Sequence, residues 1–476
     1  MKKRFIKAVI FIAILALVTL CFSSVFSYKF DDGILQIEGL YDQKDDTVDV
    51  LVVGSSRAYV NVSPACLWRE DGIASYIVGG SIQPSWNSYY YLKEALKTQR
   101  PKLIMYEAYT TLVSDEYSDA TRIIKNTFGM KLSGDKVEAI SVSAPKDEYV
   151  NYYGEFMQYH SRYSLLTKKD FEKYSDEKVR AAFKGNYMTF ASFPHTRSDV
   201  AFDDKTEKMP EKSEQYYRML LSLAKDEGIP VLVFVAPYSA YSSYDRHVFN
   251  TAKNIAGEYG ASFHDFNEDI DAMQINYATD CVDNAHLNYK GSVKFSSFLG
   301  KFIKEQFPSV PDRSGGEAYS SWDIDADIAY RRIANAKFQE TNDMEKYFGL
   351  LDKADGYTVG VTVSGDISEA AASYVSALTG SSEIGAGSAF LIDGQNVTTV
   401  ASNAICHIPV NSRDELSVRG GASPGIYIGH TDHLQTPKGI NILIYDKKTD
   451  TLVDSVGFDS TAKYAAVRPD VKETWK

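Results

Sequence analysis

Cysteine is scarce: the chain has 476 residues and 4 Cys. Cys21 lies inside an apolar run, which leaves Cys66, Cys281 and Cys406, an odd number that does not support a disulfide framework. A Cys66–Cys281 bridge and buried free thiols are the two readings open to this set. Positive charge is also in deficit. Lys+Arg 51 against Asp+Glu 63 leaves a net charge of −12, which repels a polyphosphate backbone, so no nucleic-acid partner is expected. No internal repeat or low-complexity tract occurs, which excludes solenoid and collagen-like architectures. There are 8 His, and the one dense cluster, His430-Thr-Asp-His433, offers two histidines where a metal site needs three or four convergent ligands. That tract reads as a surface loop, and no metal is expected.

What is present is an ordinary globular composition, 44% hydrophobic and 24% charged, in a length that suits two or three domains. Aromatics make up 13% of it, a supply that suits cores or flat stacking surfaces for sugars. The one long apolar run opens the chain. Lys2, Lys3, Arg4 and Lys7 precede the uncharged stretch Ala8 to Phe26, and Asp31 and Asp32 follow it. A helix of that length spans roughly the ~30 Å hydrocarbon layer, and the charge asymmetry puts the remainder outside the cytoplasm. A cleaved signal peptide with Val25 and Ser27 at its cleavage site is the rival; the run exceeds the usual apolar length of a signal, which favours an uncleaved anchor over residues 1–28.

From Val48 onward short apolar runs alternate with longer amphipathic ones. Val48 to Gly54, Ser75 to Val78, Lys102 to Tyr106, Pro230 to Val235 and Ser262 to Asp265 read as strands. Trp86 to Lys97, Glu214 to Glu227, His247 to Tyr259 and Asn288 to Phe307 read as helices. This alternation predicts an α/β domain over 29–307 with a parallel sheet covered on both faces. A Tyr- and Lys-rich interruption at about 111–212, with a helical stretch over Lys146 to Tyr163, is either a lid over the strand ends or a helical decoration. Pro308 to Glu317 is a turn-rich linker and Trp322 to Lys337 a connecting helix, together 308–342. A smaller α+β module follows over 343–476, with strands at Tyr357 to Val363, Ile440 to Tyr445 and Thr451 to Val456 and a helix at Ser368 to Leu378.

Two tracts can carry chemistry. The first strand ends in Gly54-Ser55-Ser56-Arg57, and ligands of doubly wound sheets bind outside the carboxyl ends of strands. A serine there is well placed, although serine is also a common helix cap. Asp283-Asn-Ala-His286, between the fifth strand and the last helix, supplies what a serine hydroxyl needs: a base, and a carboxylate to fix the tautomer of that base.

With those blocks the chain resembles the SGNH (GDSL-like) hydrolase superfamily from about Val48 to Phe307, closest to the envelope branch that includes DltD-like and alginate-acetylation proteins. The resemblance implies a flavodoxin-like three-layer α/β/α fold, with Ser56 as nucleophile, His286 as base and Asp283 as its orienter. Ser55, where the family usually has Asp, is the fallback nucleophile. The backbone N–H groups of Ser56 and Gly80 would form the oxyanion hole, Gly80 coming from Gly79-Gly80-Ser81 after the second strand. One block departs from the pattern: where the family often has Gly-x-Asn-Asp, this chain reads Tyr106-Glu107-Ala108-Tyr109, without the asparagine donor.

The resemblance implies no cofactor. It implies a membrane-anchored extracytoplasmic esterase or O-acyltransferase acting on cell-wall or exopolysaccharide, with a membrane-bound O-acyltransferase as a partner. A polysaccharide-binding or assembly factor on the same scaffold is the competing expectation. Gly439 to Asp446 with Thr449 to Asp459 is similar to the interleukin-like EMT inducer (ILEI/FAM3-type) domain, which implies an interaction module.

Overall fold

The computed structural model describes residues 2–26, 32–153, 163, 166, 184–351 and 356–469. It divides into two compact units, Met1–Ala329 and Tyr330–Lys476.

The first unit contains helices α1 (Lys2–Phe26), α2 (Ile34–Tyr41), α3 (Ser56–Asn61), α4 (Pro64–Asp71), α5 (Ser85–Ala95), α6 (Ala120–Thr127), α7 (Gly134–Ser143), α8 (Val150–Tyr153), α9 (Glu211–Asp226), α10 (Ser243–Glu258) and α11 (Tyr289–Gln306). Its strands are β1 (Val50–Gly54), β2 (Ser75–Gly79), β3 (Leu103–Glu107), β4 (Val231–Val235) and β5 (Ser262–Asp265). They form one parallel sheet in the order β2-β1-β3-β4-β5. The α/β class and the parallel sheet expected from the alternation are thus present. The first four strands are buried along their whole length, as strands covered on both faces must be.

Side-chain alternation explains how. Val50, Val52, Leu103, Met105, Leu232 and Phe234 join one cluster with Leu67 of α4 and Phe295, Leu299 and Ile303 of α11. Tyr106, one position out of phase with Met105, stacks instead on Tyr217 of α9 at 5.4 Å. Trp86, Tyr90 and Tyr91 are likewise buried in α5, so most of the aromatic run there serves the core.

Local signals set the helix ends. Ser63 Oγ accepts the Cys66 N–H and Pro64 fills the first turn of α4, while Gly72 closes it with φ 63°. Asn288 Oδ1 accepts the N–H groups of Lys290 and Gly291 to start α11. Cys66 and Cys281 are buried and not bridged, which resolves the choice between a disulfide and separate thiols, and burial pushes Cys281 up to about 12.

Several expectations fall at the edge of what is described. The helical stretch at Lys146 to Tyr163 is seen as a 3-10 turn, Lys146–Glu148, and α8; residues 154–162 lie outside the described residues, as does most of 164–183 of the expected lid. Residues 27–31, with the rival cleavage site at Ser27, lie outside them too. With side chains at 16, 20, 21, 23 and 24 of α1 also outside, no helix among the described residues is long and apolar enough to cross a membrane. Residues 186–210 form an extended strap. Its N–H groups at Tyr187, Phe193, His195, Ser198 and Glu207 donate to the carbonyls of Tyr59, Cys281, Tyr277, Ser239 and His247.

The division at Ala329 falls inside helix α12 (Ser320–Glu340), not in the turn-rich stretch before it. That stretch is tied to the first unit: Arg313 Nε donates to Asp49 at 2.8 Å, and the Arg313 N–H donates to Gly72.

The second unit, beyond α13 (Met344–Leu351) and α14 (Glu369–Thr379), is built on antiparallel sheets. Strands β6 (Tyr357–Ser364), β7 (Ala389–Asp393), β8 (Asn396–Thr399), β13 (Gly439–Asp446), β14 (Thr451–Asp459) and β15 (Ala465–Val467) make six strands in the order β15-β14-β13-β6-β7-β8. Strands β9 (Ile405–Pro409), β10 (Glu415–Arg419), β11 (Gly425–Ile428) and β12 (Thr431–Asp432) make a second sheet of four. One face of the larger sheet packs on α13 and α14 through Val359, Val361, Ala371 and Val375. Its other face meets Leu416, Val418 and Ile426 of the smaller sheet. A Cβ on Gly360 would sit 3.0 Å from Val418 and Ile426, so glycine lets the sheets approach. Asp446 is fully buried. Burial raises it, but Arg331 at 2.8 Å, Asn335 at 3.0 Å and Thr449 hold its carboxyl below the ordinary range.

Candidate active site

Strand β1 ends where no side chain fits. A Cβ on Gly54 would lie 2.6 Å from the Cβ of Glu107 and 3.0 Å from that of Ala58. The chain then passes through Ser55, extended at φ −89° and ψ −160°, and turns into α3 at Ser56. Ser55 is fully buried and its hydroxyl has no partner, whereas Ser56 is half-buried. His286 Nε2 lies 2.7 Å from Ser56 Oγ. The base therefore reaches Ser56, and the fallback Ser55 faces the interior.

The other ring nitrogen, His286 Nδ1, is 2.9 Å from both carboxylate oxygens of Asp283. Asp283 Oδ1 also accepts the N–H groups of Ala285 and His286, each at 2.8 Å. Partial burial raises this carboxyl, but the His286 ring and the two N–H groups outweigh it and hold Asp283 below the usual carboxylate range. It stays ionised at neutral pH, and Nδ1 then carries the proton while Nε2 is free to accept one. The Asp283 side chain is 50% exposed and that of His286 21%, so the orienting carboxylate keeps contact with solvent.

The loop that presents His286 is held from three sides. Its Cys281 and Leu287 pair as an antiparallel bridge. The Asn284 carbonyl accepts the Ala240 N–H and the Ser239 hydroxyl, each at 3.1 Å. Asn61, the last residue of α3, accepts the Leu287 N–H at 2.9 Å and donates to the Pro237 carbonyl at 3.1 Å. Asn61 thus ties the Ser56 helix to the His286 loop. Its signal in the sequence, a buried amide one turn beyond the nucleophile block, carried no meaning without the fold.

Gly80 stands on the neighbouring strand end, since Gly54 pairs with Gly79. A Cβ on Gly80 would lie 2.3 Å from Asn126 Oδ1, so that position is backed by the side chain of α6. Asn126 is buried, donates to the Ser81 carbonyl at 3.2 Å and leaves Oδ1 unpaired. Nothing in the linear pattern links this insertion residue to the site. Arg57 and Glu107 are both buried beside the Ser56 turn, a juxtaposition that only the fold brings about.

A cleft of about 380 Å³ opens between the strap and the loops after β4 and β5. It is lined by Arg197, Asp199, Phe202, Tyr238, Tyr241 and Tyr277 among others; Ser56, Asp283 and His286 are not among its walls. Phe202 stacks on Tyr241 at 5.9 Å, and Ser198 holds the strap to Ser239.

The arrangement can move a proton from the Ser56 hydroxyl to His286 and hold the resulting imidazolium against Asp283, the requirement of acyl transfer through a serine. Comparison with protein-family models, with curated proteins and with solved structures returns no match.

Proposed function

We propose that the chain is a membrane-anchored, extracytoplasmic serine esterase or O-acyltransferase of the SGNH type, acting on O-acyl groups of cell-envelope polysaccharide. The observation that carries this reading is the continuous chain Ser56 Oγ, His286 Nε2, His286 Nδ1 and Asp283, with 2.7 and 2.9 Å links. In the proposed reaction Ser56 Oγ attacks the ester carbonyl as His286 takes its proton, forming a tetrahedral oxyanion. The C–O bond to the sugar or other carrier then breaks, and His286 returns the proton to the leaving oxygen, leaving an acyl-serine. Water or a sugar hydroxyl attacks in the second half, again through His286, so hydrolysis and transfer differ only in the acceptor.

The flavodoxin-like order of the sheet and the position of Ser56 at a strand's carboxyl end support the SGNH assignment. The N-terminal charge asymmetry supports the anchor, and a membrane-bound O-acyltransferase is the proposed donor partner. The tyrosine-walled cleft, with one cation and one anion at its rim, suits an uncharged glycan better than a charged polymer. For the second unit, an ILEI-like attachment role is the proposal. The binding-factor alternative rests on Glu107, which puts a carboxyl where a donor is expected.

Fluorophosphonate labelling of the purified chain tests the reading, because it reports an activated serine without the natural substrate. Labelling that disappears in Ser56→Ala supports the enzyme; a wild type never labelled replaces it with the binding factor.

A further inference from the structure

A developing oxyanion needs positive charge nearby, yet β3 ends in the carboxyl of Glu107 against Gly54. Glu107 is fully buried. Its Oε2 accepts the Tyr109 N–H at 3.2 Å, and its Oε1 has no partner. Arg57, the residue after Ser56, is 7% exposed. Its guanidinium carbon lies 4.0 Å from the centre of the Tyr109 ring and 3.4 Å from that of Tyr238, and its Nη1 donates to nothing. A buried cation clamped between two rings, with an orphan donor of its own and an orphan acceptor on Glu107, is a costly arrangement that packing alone does not require.

We infer that Arg57 and Glu107 form a buried charge switch behind Ser56: the guanidinium supplies the positive field for the oxyanion, and the carboxyl cancels that field when it ionises. Both act as positioning residues. The inference rests on Ser56 being the nucleophile.

Burial pushes Glu107 up to about 7, against the pull of the Arg57 charge and of the Tyr109 and Ala236 N–H groups. Other titratable groups facing the pair are Tyr106 beside Glu107 and Tyr238 beside Arg57, the latter donating its hydroxyl to Asp245 at 2.7 Å. Gly54 and Ala58 add none. The direction follows. Below about 7 Glu107 is neutral and Arg57 is uncompensated; above it the carboxylate offsets the guanidinium and the oxyanion loses support. The rate through Ser56 therefore falls as pH rises through about 7 and Glu107 ionises.

The test is the fluorophosphonate labelling rate of the full chain in detergent, followed from mildly acid to mildly alkaline pH. Wild type should lose rate as pH rises through about 7. Glu107→Gln should lack that fall, labelling several-fold faster than wild type on the alkaline side. Arg57→Gln should be slower by about tenfold or more on the acid side, with the fall moved to higher pH because the guanidinium no longer draws Glu107 down, while Arg57→Lys should restore both rate and position of the fall.

Thermal unfolding gives a second readout, sensitive to the ionisation itself. The native state holds the Glu107 proton to a higher pH than the unfolded chain, so wild type loses stability as pH rises from the ordinary glutamate value to about 7. The unfolding temperature of Glu107→Gln should gain on wild type across that window and no further. A wild type labelled at Ser56 whose pH profile is shared by Glu107→Gln overturns the switch alone. A wild type never labelled overturns the hydrolase reading and the switch with it.

Discussion

The two compact units differ in where they leave polar atoms unpaired. Among the described residues, ten of the eleven buried side-chain atoms without a hydrogen bond belong to the first unit, one of them, Asp325 Oδ2, still ion-paired with Lys184 at 3.2 Å, and one, Thr362 Oγ1, belongs to the second. Four of the ten, on Ser55, Arg57, Glu107 and Asn126, sit on or beside the strand ends that hold the Ser56 turn. In the second unit buried charge is matched: Arg331 with Asp446, and Arg468 Nε with Asp454, whose Oδ2 also accepts the Tyr347 hydroxyl at 2.9 Å. Under the proposed function the difference has a reason: a binding module can satisfy all its interior groups, whereas a reacting centre keeps some of them unspent for a transition state.

That contrast breaks first at the nucleophile. Ser56→Ala should abolish fluorophosphonate labelling and lower p-nitrophenyl acetate turnover by about 10³-fold or more, and adding His286→Ala should cost little further, because members of a triad act as a unit. Equal turnover in Ser56→Ala, with loss in Ser55→Ala, would move the nucleophile one residue. Asp283→Asn comes next, at about 10²-fold or more in turnover, because the amide favours the wrong imidazole tautomer.

Asp446→Ala should leave labelling unchanged yet destabilise the second unit by about 3–5 kcal/mol, read by calorimetry of the full chain, because it removes the buried carboxylate that Arg331, Asn335 and Thr449 share. Acid should act the same way on wild type. Asp446 is held below the ordinary range, so the stability it contributes is complete above the usual Asp value and is lost as pH falls through its lowered one. The smallest effect belongs to Asn61→Ala, about 1–3 kcal/mol in stability from the unpaired Leu287 N–H and Pro237 carbonyl. If turnover falls much further than stability in that variant, Asn61 holds the register between Ser56 and His286.

The parallel sheet was legible because short continuous apolar runs alternate with longer amphipathic ones, as strands buried on both faces must; the observed β1, β3 and β4 start one or two residues inside the expected runs. Ser56, Asp283 and His286 were legible because two short tracts each carried their own chemistry. Asn61, Arg57, Glu107 and Asn126 were not, since a buried amide or charge declares its partner only once distant strand ends are side by side. The smaller antiparallel sheet escaped for a different reason. β9 shows alternating exposure and β12 is two exposed residues, and neither presents the continuous apolar run that marked the parallel strands.

The extended strap has a kinetic meaning as well. Its N–H groups join residue 187 to 59 and residue 193 to 281, while Ser56 and His286 are themselves 230 positions apart. Contacts of such long sequence separation close late, because loop entropy must be overcome before they return any free energy. Ser56 meets His286 only when the last helix of the unit has docked. On the proposed hydrolase reading, reactivity toward esters therefore serves as a clock for the completion of folding.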